Sequence, residues 1–228
     1  MLMLTDVEKL TQLIYKRNDR ELLKWLLDND VSEFEILKPD KNDRSIVFLH
    51  EDILYNITAG SDDLPDWIEN FIVIPCRELY HGFKGYAEPA KIIADYIKNC
   101  PLECEHIVIA GHSRGGAIAQ NVFRQIRHLY YKNINGWSFG NPGGGSKKFA
   151  RGTEHFQFIN FDIKGDVVTK LNFLKCDLGK TINLPRQIKG FGNRIRRILK
   201  GELNHRSYAC IAEIEPWNMM KAKGGYNE

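Results

Sequence analysis

The chain has 228 residues, of which 43% are hydrophobic and 27% charged, and its formal net charge is +3. This size fits one large domain, and the composition excludes collagen-like, coiled-coil and wholly disordered chains. No run approaches the roughly 18 apolar residues of a membrane-spanning helix. The charge is too small to indicate a nucleic-acid partner. The N-terminus lacks the basic region and long apolar run of a secretory signal, so we expect a cytoplasmic protein.

The five cysteines are an odd number, are widely spread and include no CxxC pair. They therefore predict reduced thiols rather than a complete set of disulfides. Cys100 and Cys104 have the spacing of half a metal site. Because no second pair follows them, no metal is expected.

Residues 1–40 are predicted to form an N-terminal helical extension, and residues 41–228 the main domain. Residues 5–29 fit two short helices, and Leu10 and Ile14 lie on one face of the first. We expect this extension to cap the main domain. A helical hairpin that binds a partner is the alternative.

The pattern changes at about residue 45. Two adjacent strands are predicted at residues 45–49 and 53–58, and residues 71–74 form a further short apolar run that fits a strand. Residues 87–98 fit a helix with one apolar face.

The next segment alternates strands with a long helix. Residues 106–110 are an apolar, β-branched run that predicts a strand buried on both faces. Residues 114–130 then fit a helix whose inward stripe is Ile118, Val122, Ile126 and Leu129. Strands follow at residues 136–139 and 156–161. This alternation predicts an α/β fold: a doubly wound, mostly parallel sheet with helices on both faces and right-handed connections.

The strongest motif is GHSRGG at residues 111–116, between the buried strand and the long helix. A nucleophile at such a tight turn has a strained backbone, so Gly111 and Gly115, two residues either side of Ser113, must lack side chains. The turn also places backbone N–H groups at a helix N-terminus, where they can stabilise an oxyanion. A plain glycine-rich turn is the alternative.

A serine nucleophile needs a base, and the base needs an orienting acid. Asp162 and Asp166 both follow the strand at residues 156–161, at the edge of the sheet where sites form. His205 follows both acids and lies in a polar segment. It is the best base by elimination, because His128 lies along the helix and His155 precedes its strand.

Several ordered blocks resemble the class 3 lipases, the fungal-type triacylglycerol lipase family of the α/β-hydrolases, across about residues 53–212. The blocks are residues 57–61 with 66–67, residues 81–83, 111–117, 138–142 and 165–168, and His205 with Tyr208. The resemblance implies the α/β-hydrolase fold and hydrolysis of an acyl ester or lipid without metal or organic cofactor. It implies Ser113 as nucleophile, Asp166 as acid and His205 as base.

The resemblance also implies an oxyanion hole made by the backbone N–H of Arg114 together with Ser61. It favours Asp166 over Asp162, which would then be a surface or turn residue. Arg114 replaces the apolar residue that usually follows the nucleophile. We expect a surface arginine paired with a nearby acid, and the alternative is a contact with a charged headgroup or an acid product.

Other positions depart from the family pattern. Ala59 stands where arginine is usual and Thr169 where proline is usual, and residues 143–145 are three glycines that predict a flexible loop. Residues 68–80 leave little room for a long lid helix. A short lid suits esters in solution or small lipids.

Residues 186–200 combine six basic residues with interleaved apolar ones and contain no acid. Such a segment fits peripheral contact with an anionic membrane, and the alternative is a solvated helix packed on the domain. No recognition motif supports a nucleic-acid partner.

Together these features predict a serine carboxylic-ester hydrolase, a lipase or esterase that acts through an acyl-enzyme. A catalytically silent lipid-binding or interaction protein on the same fold is the alternative. The sequence leaves acyl-chain length, headgroup and oligomeric state open.

Overall fold

The computed structural model describes residues 2–15, 17–41, 43–60, 74–101, 103–130, 133–163, 166, 168–171 and 176–184. Its helices are α1 (Leu4–Tyr15), α2 (Asp19–Asp28), α3 (Lys84–Asn99), α4 (Arg114–Tyr130), α5 (Lys147–Ala150) and α6 (Val168–Leu171), with a 3₁₀ turn at Arg77–Leu79. Its strands are β1 (Phe34–Leu37), β2 (Arg44–His50), β3 (Ile53–Ala59), β4 (Pro75–Cys76), β5 (Gly82–Phe83), β6 (His106–His112), β7 (Ile134–Phe139), β8 (Phe158–Ile163) and β9 (Lys180–Leu184).

The main sheet has seven described strands in the order β1-β2-β3-β6-β7-β8-β9. From β3 to β9 each strand is parallel to its neighbour, whereas β1 and β2 are added antiparallel at one edge. Because parallel strands end on the same side, the carboxyl ends of β3, β6, β7 and β8 meet along one edge of the sheet. The predicted doubly wound, mostly parallel sheet is confirmed.

Strand β6 lies in the middle of the sheet and has apolar side chains on both of its faces, so both faces must be packed against other elements. Ile107 and Ile109 belong to the apolar cluster that includes α3 and α4, while Val108 and Ala110 belong to the cluster on the other face. Successive side chains of a strand point to opposite faces. A continuous apolar run is therefore what a strand between two helical layers requires.

The N-terminal helices cover the face opposite α3 and α4. Leu10 and Ile14 of α1 and Leu26 of α2 are almost wholly buried in the cluster that also contains Tyr55 of β3. The extension therefore packs as a cap on the sheet. Strand β1 pairs with β2, so the sheet begins before residue 40. The predicted domain boundary at that residue stays a prediction.

Most predicted elements are confirmed, and the long helix has the predicted bounds of residues 114–130. The predicted inward stripe of this helix is wrong at one position, because Leu129 is 52% exposed. Leu129 lies in the last turn of the helix, one residue before its end at Tyr130. Of the apolar run at residues 71–74, only residue 74 is described, and it is in no strand.

Cys76, Cys100, Cys104 and Cys176 are free thiols, while Cys210 lies outside the described residues. In the described part of the chain, no group of three or more His, Cys, Asp or Glu side chains could hold a metal ion. None of the helices seen there has the length and apolar character to span a bilayer.

Candidate active site

Ser113 forms the turn between the last residue of β6 and the first residue of α4. Its φ is +57°, in the left-handed region that costs a residue with a side chain roughly 1–2 kcal/mol. Two backbone hydrogen bonds hold the turn. The Ser113 N–H donates to the Phe139 carbonyl at 2.8 Å, and the Gly116 N–H donates to the Ser113 carbonyl at 2.9 Å.

The two glycines of the motif are required by close approach of backbone atoms. A Cβ on Gly111 would lie 2.2 Å from the Gly115 carbonyl oxygen, and a Cβ on Gly115 would lie 2.3 Å from the Thr58 carbonyl oxygen. Side chains at these positions would push α4 away from β6 and β3. The steric reason predicted for the motif therefore agrees with the packing.

The Ser113 side chain is buried, with the residue 1% exposed. None of the described residues makes a hydrogen bond to its Oγ. The predicted base, His205, lies outside the described residues. The role of this residue stays a prediction.

Asp166 follows β8 and is wholly buried. Its N–H donates to the Ile163 carbonyl at 2.9 Å, and its Oδ1 accepts from the Val168 N–H at 2.9 Å. Because β6 and β8 both pair in parallel with β7, Asp166 and Ser113 follow strand ends at the same edge of the sheet. The structure thus brings the predicted nucleophile and acid to one edge.

Asp162 was predicted to be a surface or turn residue, and this is wrong. The predicted strand ended at residue 161, whereas β8 continues to Ile163. Asp162 therefore lies within the strand, opposite Asn183 of β9, and is only 8% exposed.

Arg114 was predicted to be a surface arginine paired with an acid. It is paired, but it is not on the surface, because only 5% of the residue is exposed. Its Nε donates to Asp43 Oδ1 at 2.8 Å and its Nη2 to Asp43 Oδ2 at 2.9 Å, and Asp40 Oδ2 lies 3.4 Å from Nη2. Burial alone lowers the pKa of the guanidinium, but its partners outweigh burial and raise that pKa. The side chain is thus engaged inside the protein, which argues against a headgroup contact.

The backbone N–H of Arg114 is the first of α4, and the first N–H groups of a helix have no acceptor within it. A Cβ on Gly60 would lie 3.1 Å from the Arg114 nitrogen. The chain that leaves β3 towards residue 61 therefore passes beside this N–H. Ser61 itself lies outside the described residues, so the two-donor oxyanion hole stays a prediction.

Two contacts tie neighbouring elements to this turn. Tyr15, at the end of α1, makes an edge-on ring contact with His112, with the ring centres 5.9 Å apart. On the other side of the turn, a Cβ on Gly116 would lie 2.8 Å from the Asn141 Cβ. The turn is therefore packed between the N-terminal cap and the loop that follows β7.

A buried polar network behind the turn was not predicted. Gln120 Nε2 of α4 shares its two hydrogens among three acceptors: Asn141 Oδ1 at 3.1 Å, Asn160 Oδ1 at 2.9 Å and Asp177 Oδ1 at 2.8 Å. Ser138 donates to the same Asn160 oxygen at 2.7 Å. The sequence signal was a polar residue, Gln120, on the inward side of a helix, next to the stripe of apolar residues.

Residues 143–145 were predicted to form a flexible loop, and this interpretation is wrong. Asn121 Nδ2 donates to the Gly144 carbonyl at 2.9 Å, and all three glycines are buried. A Cβ on Gly145 would lie 2.5 Å from the Phe149 ring. These glycines allow close packing rather than motion.

Comparison with known proteins gives a family match over part of the chain and a similar fold. A model of the class 3 lipase family matches residues 79–175. No curated protein gives a significant match. The Rhizomucor miehei triacylglyceride lipase structure is similar, with 16% identity, a TM-score of 0.55 and 78% of each chain covered. The Rhizopus microsporus var. chinensis lipase has 15% identity and a TM-score of 0.54, with 75% of this chain and 70% of that chain covered. Lipase II from Rhizopus niveus has 17% identity, a TM-score of 0.52 and coverages of 73% and 74%.

Proposed function

We propose that this chain, whose residues 79–175 match a model of the class 3 lipase family, is a serine ester hydrolase that cleaves acyl esters by covalent catalysis at Ser113. Asp166 orients the base, and His205 is that base. The backbone N–H of Arg114 and Ser61 stabilise the oxyanion. The observation that carries this proposal is the left-handed backbone of a buried serine between β6 and α4.

The chemistry proceeds in two displacements. The Ser113 Oγ bonds to the ester carbonyl carbon while its proton passes to His205. The tetrahedral intermediate then loses the alcohol oxygen, which takes the proton from His205 and leaves as the alcohol. Water adds to the acyl carbon with His205 as base, the bond to Ser113 Oγ breaks, and the oxygen of Ser113 regains the proton as the carboxylic acid is released.

The placement of the described groups supports this assignment. Asp166 and Ser113 follow parallel strands that both flank β7, so both lie at the sheet edge where α/β folds build their sites. The start of α4 presents its N–H groups beside Ser113, where the helix dipole favours negative charge. Such fixed donors are commonly the largest contributors to acyl-transfer catalysis.

The substrate we propose is an acyl lipid or a short-chain ester. The predicted membrane contact through residues 186–200 concerns residues outside the described part of the chain and stays a prediction. The same holds for the absence of a nucleic-acid partner and for the cytoplasmic location. A catalytically silent lipid-binding protein is the rival function.

A fluorophosphonate probe tests the proposal against that rival. We expect the wild type to be labelled and to hydrolyse p-nitrophenyl esters, and Ser113→Ala to lose labelling and about a millionfold in kcat. Ser146→Ala is the control, because Ser146 is partly exposed and its side chain makes no cap hydrogen bond to α5. Folded wild-type protein that neither reacts with the probe nor turns over esters would contradict the proposal.

A further inference from the structure

The pair between Asp43 and Arg114 joins two parts of the fold that are 71 residues apart in sequence. Asp43 lies just before β2, and Arg114 is the residue after the nucleophile. We propose that Asp43 is a positioning residue that sets the geometry of the oxyanion hole through the Arg114 side chain. This inference rests on the proposed function and extends it.

The contact fixes orientation as well as distance. Both carboxylate oxygens of Asp43 accept from the guanidinium, from Nε at 2.8 Å and from Nη2 at 2.9 Å. Two parallel hydrogen bonds between planar groups leave little freedom of rotation. The Asp43 side chain is fully buried and the Arg114 side chain is 5% exposed, so water does not compete for these bonds.

Asp43 is itself anchored where β2 begins beside the end of β3. The next residue, Arg44, opens β2 and lies opposite Ala59, the last residue of β3. The chain then passes through Gly60, whose added Cβ would be 3.1 Å from the Arg114 nitrogen. The carboxylate therefore links the end of the β2–β3 pair to the start of α4. These are the two elements that would supply the oxyanion donors.

A third element restrains the guanidinium. Its Cζ lies 5.5 Å from the ring centre of Tyr86 on α3, and Tyr86 is buried. A cation over an aromatic face is attracted to it, and more strongly where water is excluded. The Arg114 side chain is thus held by the residue before β2 and by α3.

Stability alone does not explain this arrangement well. Replacing a buried ion pair with apolar residues of similar volume is often neutral or stabilising, because desolvation of two charges offsets their attraction. What the pair supplies is a fixed position. Oxyanion donors act only when they lie within hydrogen-bonding distance of the developing charge, and small displacements cost large factors in rate.

Asp43→Asn tests the inference, because it keeps the size of the side chain and removes the charge and one of the two acceptors. We expect kcat per probe-titrated site to fall about ten- to hundredfold, since loss of a whole oxyanion donor costs about a hundred- to a thousandfold. KM should stay within about threefold, because the oxyanion forms only in the transition state. Affinity for a boronic acid transition-state analogue should fall by a factor similar to that in kcat.

The matched control is Asp19→Asn. Asp19 pairs with Arg44, the residue next to Asp43, but is 58% exposed and lies on α2. The same acid-to-amide change at this pair should leave kcat and analogue affinity within twofold. An effect that comes only from removing a negative charge next to the start of β2 would lower kcat in both variants.

The double variant Asp43→Leu with Arg114→Met removes both buried charges and keeps the Arg114 backbone N–H. We expect this variant to fold but to keep a lowered kcat, because the two hydrogen bonds between residues 43 and 114 are missing. Wild-type kcat in this variant, or in Asp43→Asn, would overturn the inference while leaving the proposed function intact. A wild type without ester turnover or probe labelling would overturn both.

Discussion

Ser113 shows how one residue combines strain and tight packing. Its φ of +57° is unfavourable for serine, and the turn persists because the strand before it and the helix after it are both fixed in the core. Gly111 and Gly115 permit that conformation by leaving room for carbonyl oxygens within 2.3 Å of where a Cβ would lie. The strain is therefore maintained by contacts distributed over β3, β6 and α4.

Gly115→Ala should destabilise the fold and distort the turn. The added Cβ would overlap the Thr58 carbonyl oxygen, which belongs to β3 and cannot rotate away. We expect a loss of about 3 kcal/mol in the free energy of unfolding, measured by urea denaturation, because overpacking against backbone leaves no side chain to adjust.

Gly152→Ala is the control for this change. Gly152 has a φ of +69° but nothing within 4 Å of an added Cβ. Its substitution should cost only the roughly 1 kcal/mol of left-handed backbone strain. Equal losses in the two variants would mean that crowding at Gly115 does not matter.

At the scale of elements, helix α4 is attached to the sheet by two kinds of contact. An apolar stripe that includes Ile118, Val122 and Ile126 is wholly buried against it. The polar network centred on Gln120 connects the same helix to the loop after β7, to β8 and to the segment before β9. Hydrogen bonds require defined geometry, so the network makes the packing of α4 more specific than apolar contacts alone would.

Gln120→Met should separate these two contributions. The substitution keeps the volume but leaves Asn141, Asn160 and the Leu178 N–H with fewer partners, so we expect a loss of about 3 kcal/mol in thermal or urea denaturation. Gln125→Met on the same helix is the comparison, since among the described residues Gln125 makes one hydrogen bond, to the Ala87 carbonyl at 3.2 Å. A loss of about 1 kcal/mol is expected there. If Gln120→Met costs no more than Gln125→Met, the network does not act as a unit.

The sequence could predict the elements whose pattern is strong. Strand β6 is a continuous apolar run and α4 has a regular stripe, so both were placed close to their observed bounds. Edge strands β1 and β9 were missed. Each is four or five residues long and partly exposed, so burial imposes no clear alternation on its sequence. Asp162 was misplaced because the end of a strand depends on its neighbour's register rather than on local composition.

The candidate site rests on two kinds of sequence signal. Ser113 came from the motif at the turn, whereas the choice of Asp166 over Asp162 came from the family resemblance. The structure places Ser113 and Asp166 at one edge of the sheet, and the role of His205 stays a prediction. The pair of Asp43 with Arg114 was out of reach, because the sequence separation of 71 residues carries no local signal. Only tertiary packing brings these two side chains together.

At the scale of the whole molecule, the N-terminal helices are part of the hydrophobic core. Leu10 and Ile14 of α1 pack in one cluster with Phe48, Tyr55 and Phe139 from three strands of the sheet. One face of the sheet, around β3 and β6, would be open to water without them. Burial of this apolar area is a main source of the stability of this layer.

Leu10→Ala therefore should destabilise the entire domain. Leu10 is 0% exposed, and removal of its side chain leaves a cavity that costs about 3 kcal/mol, measurable as a lower urea midpoint at unchanged slope. Leu27→Ala on α2 is the matched control, because Leu27 is 73% exposed and its truncation should cost less than about 0.5 kcal/mol. A Leu10 variant as stable as the Leu27 variant would show that the helices fold apart from the sheet.

The ring contact between Tyr15 and His112 limits how far this protein can be shortened at its N-terminus. A shortened version that starts at the predicted boundary after residue 40 would discard Tyr15, which touches the residue directly before the proposed nucleophile. Protein engineers who want a smaller version should therefore shorten loops elsewhere and retain the first fifteen positions. The same contact also predicts that substitutions in this N-terminal helix act on the Ser113 turn from outside the motif.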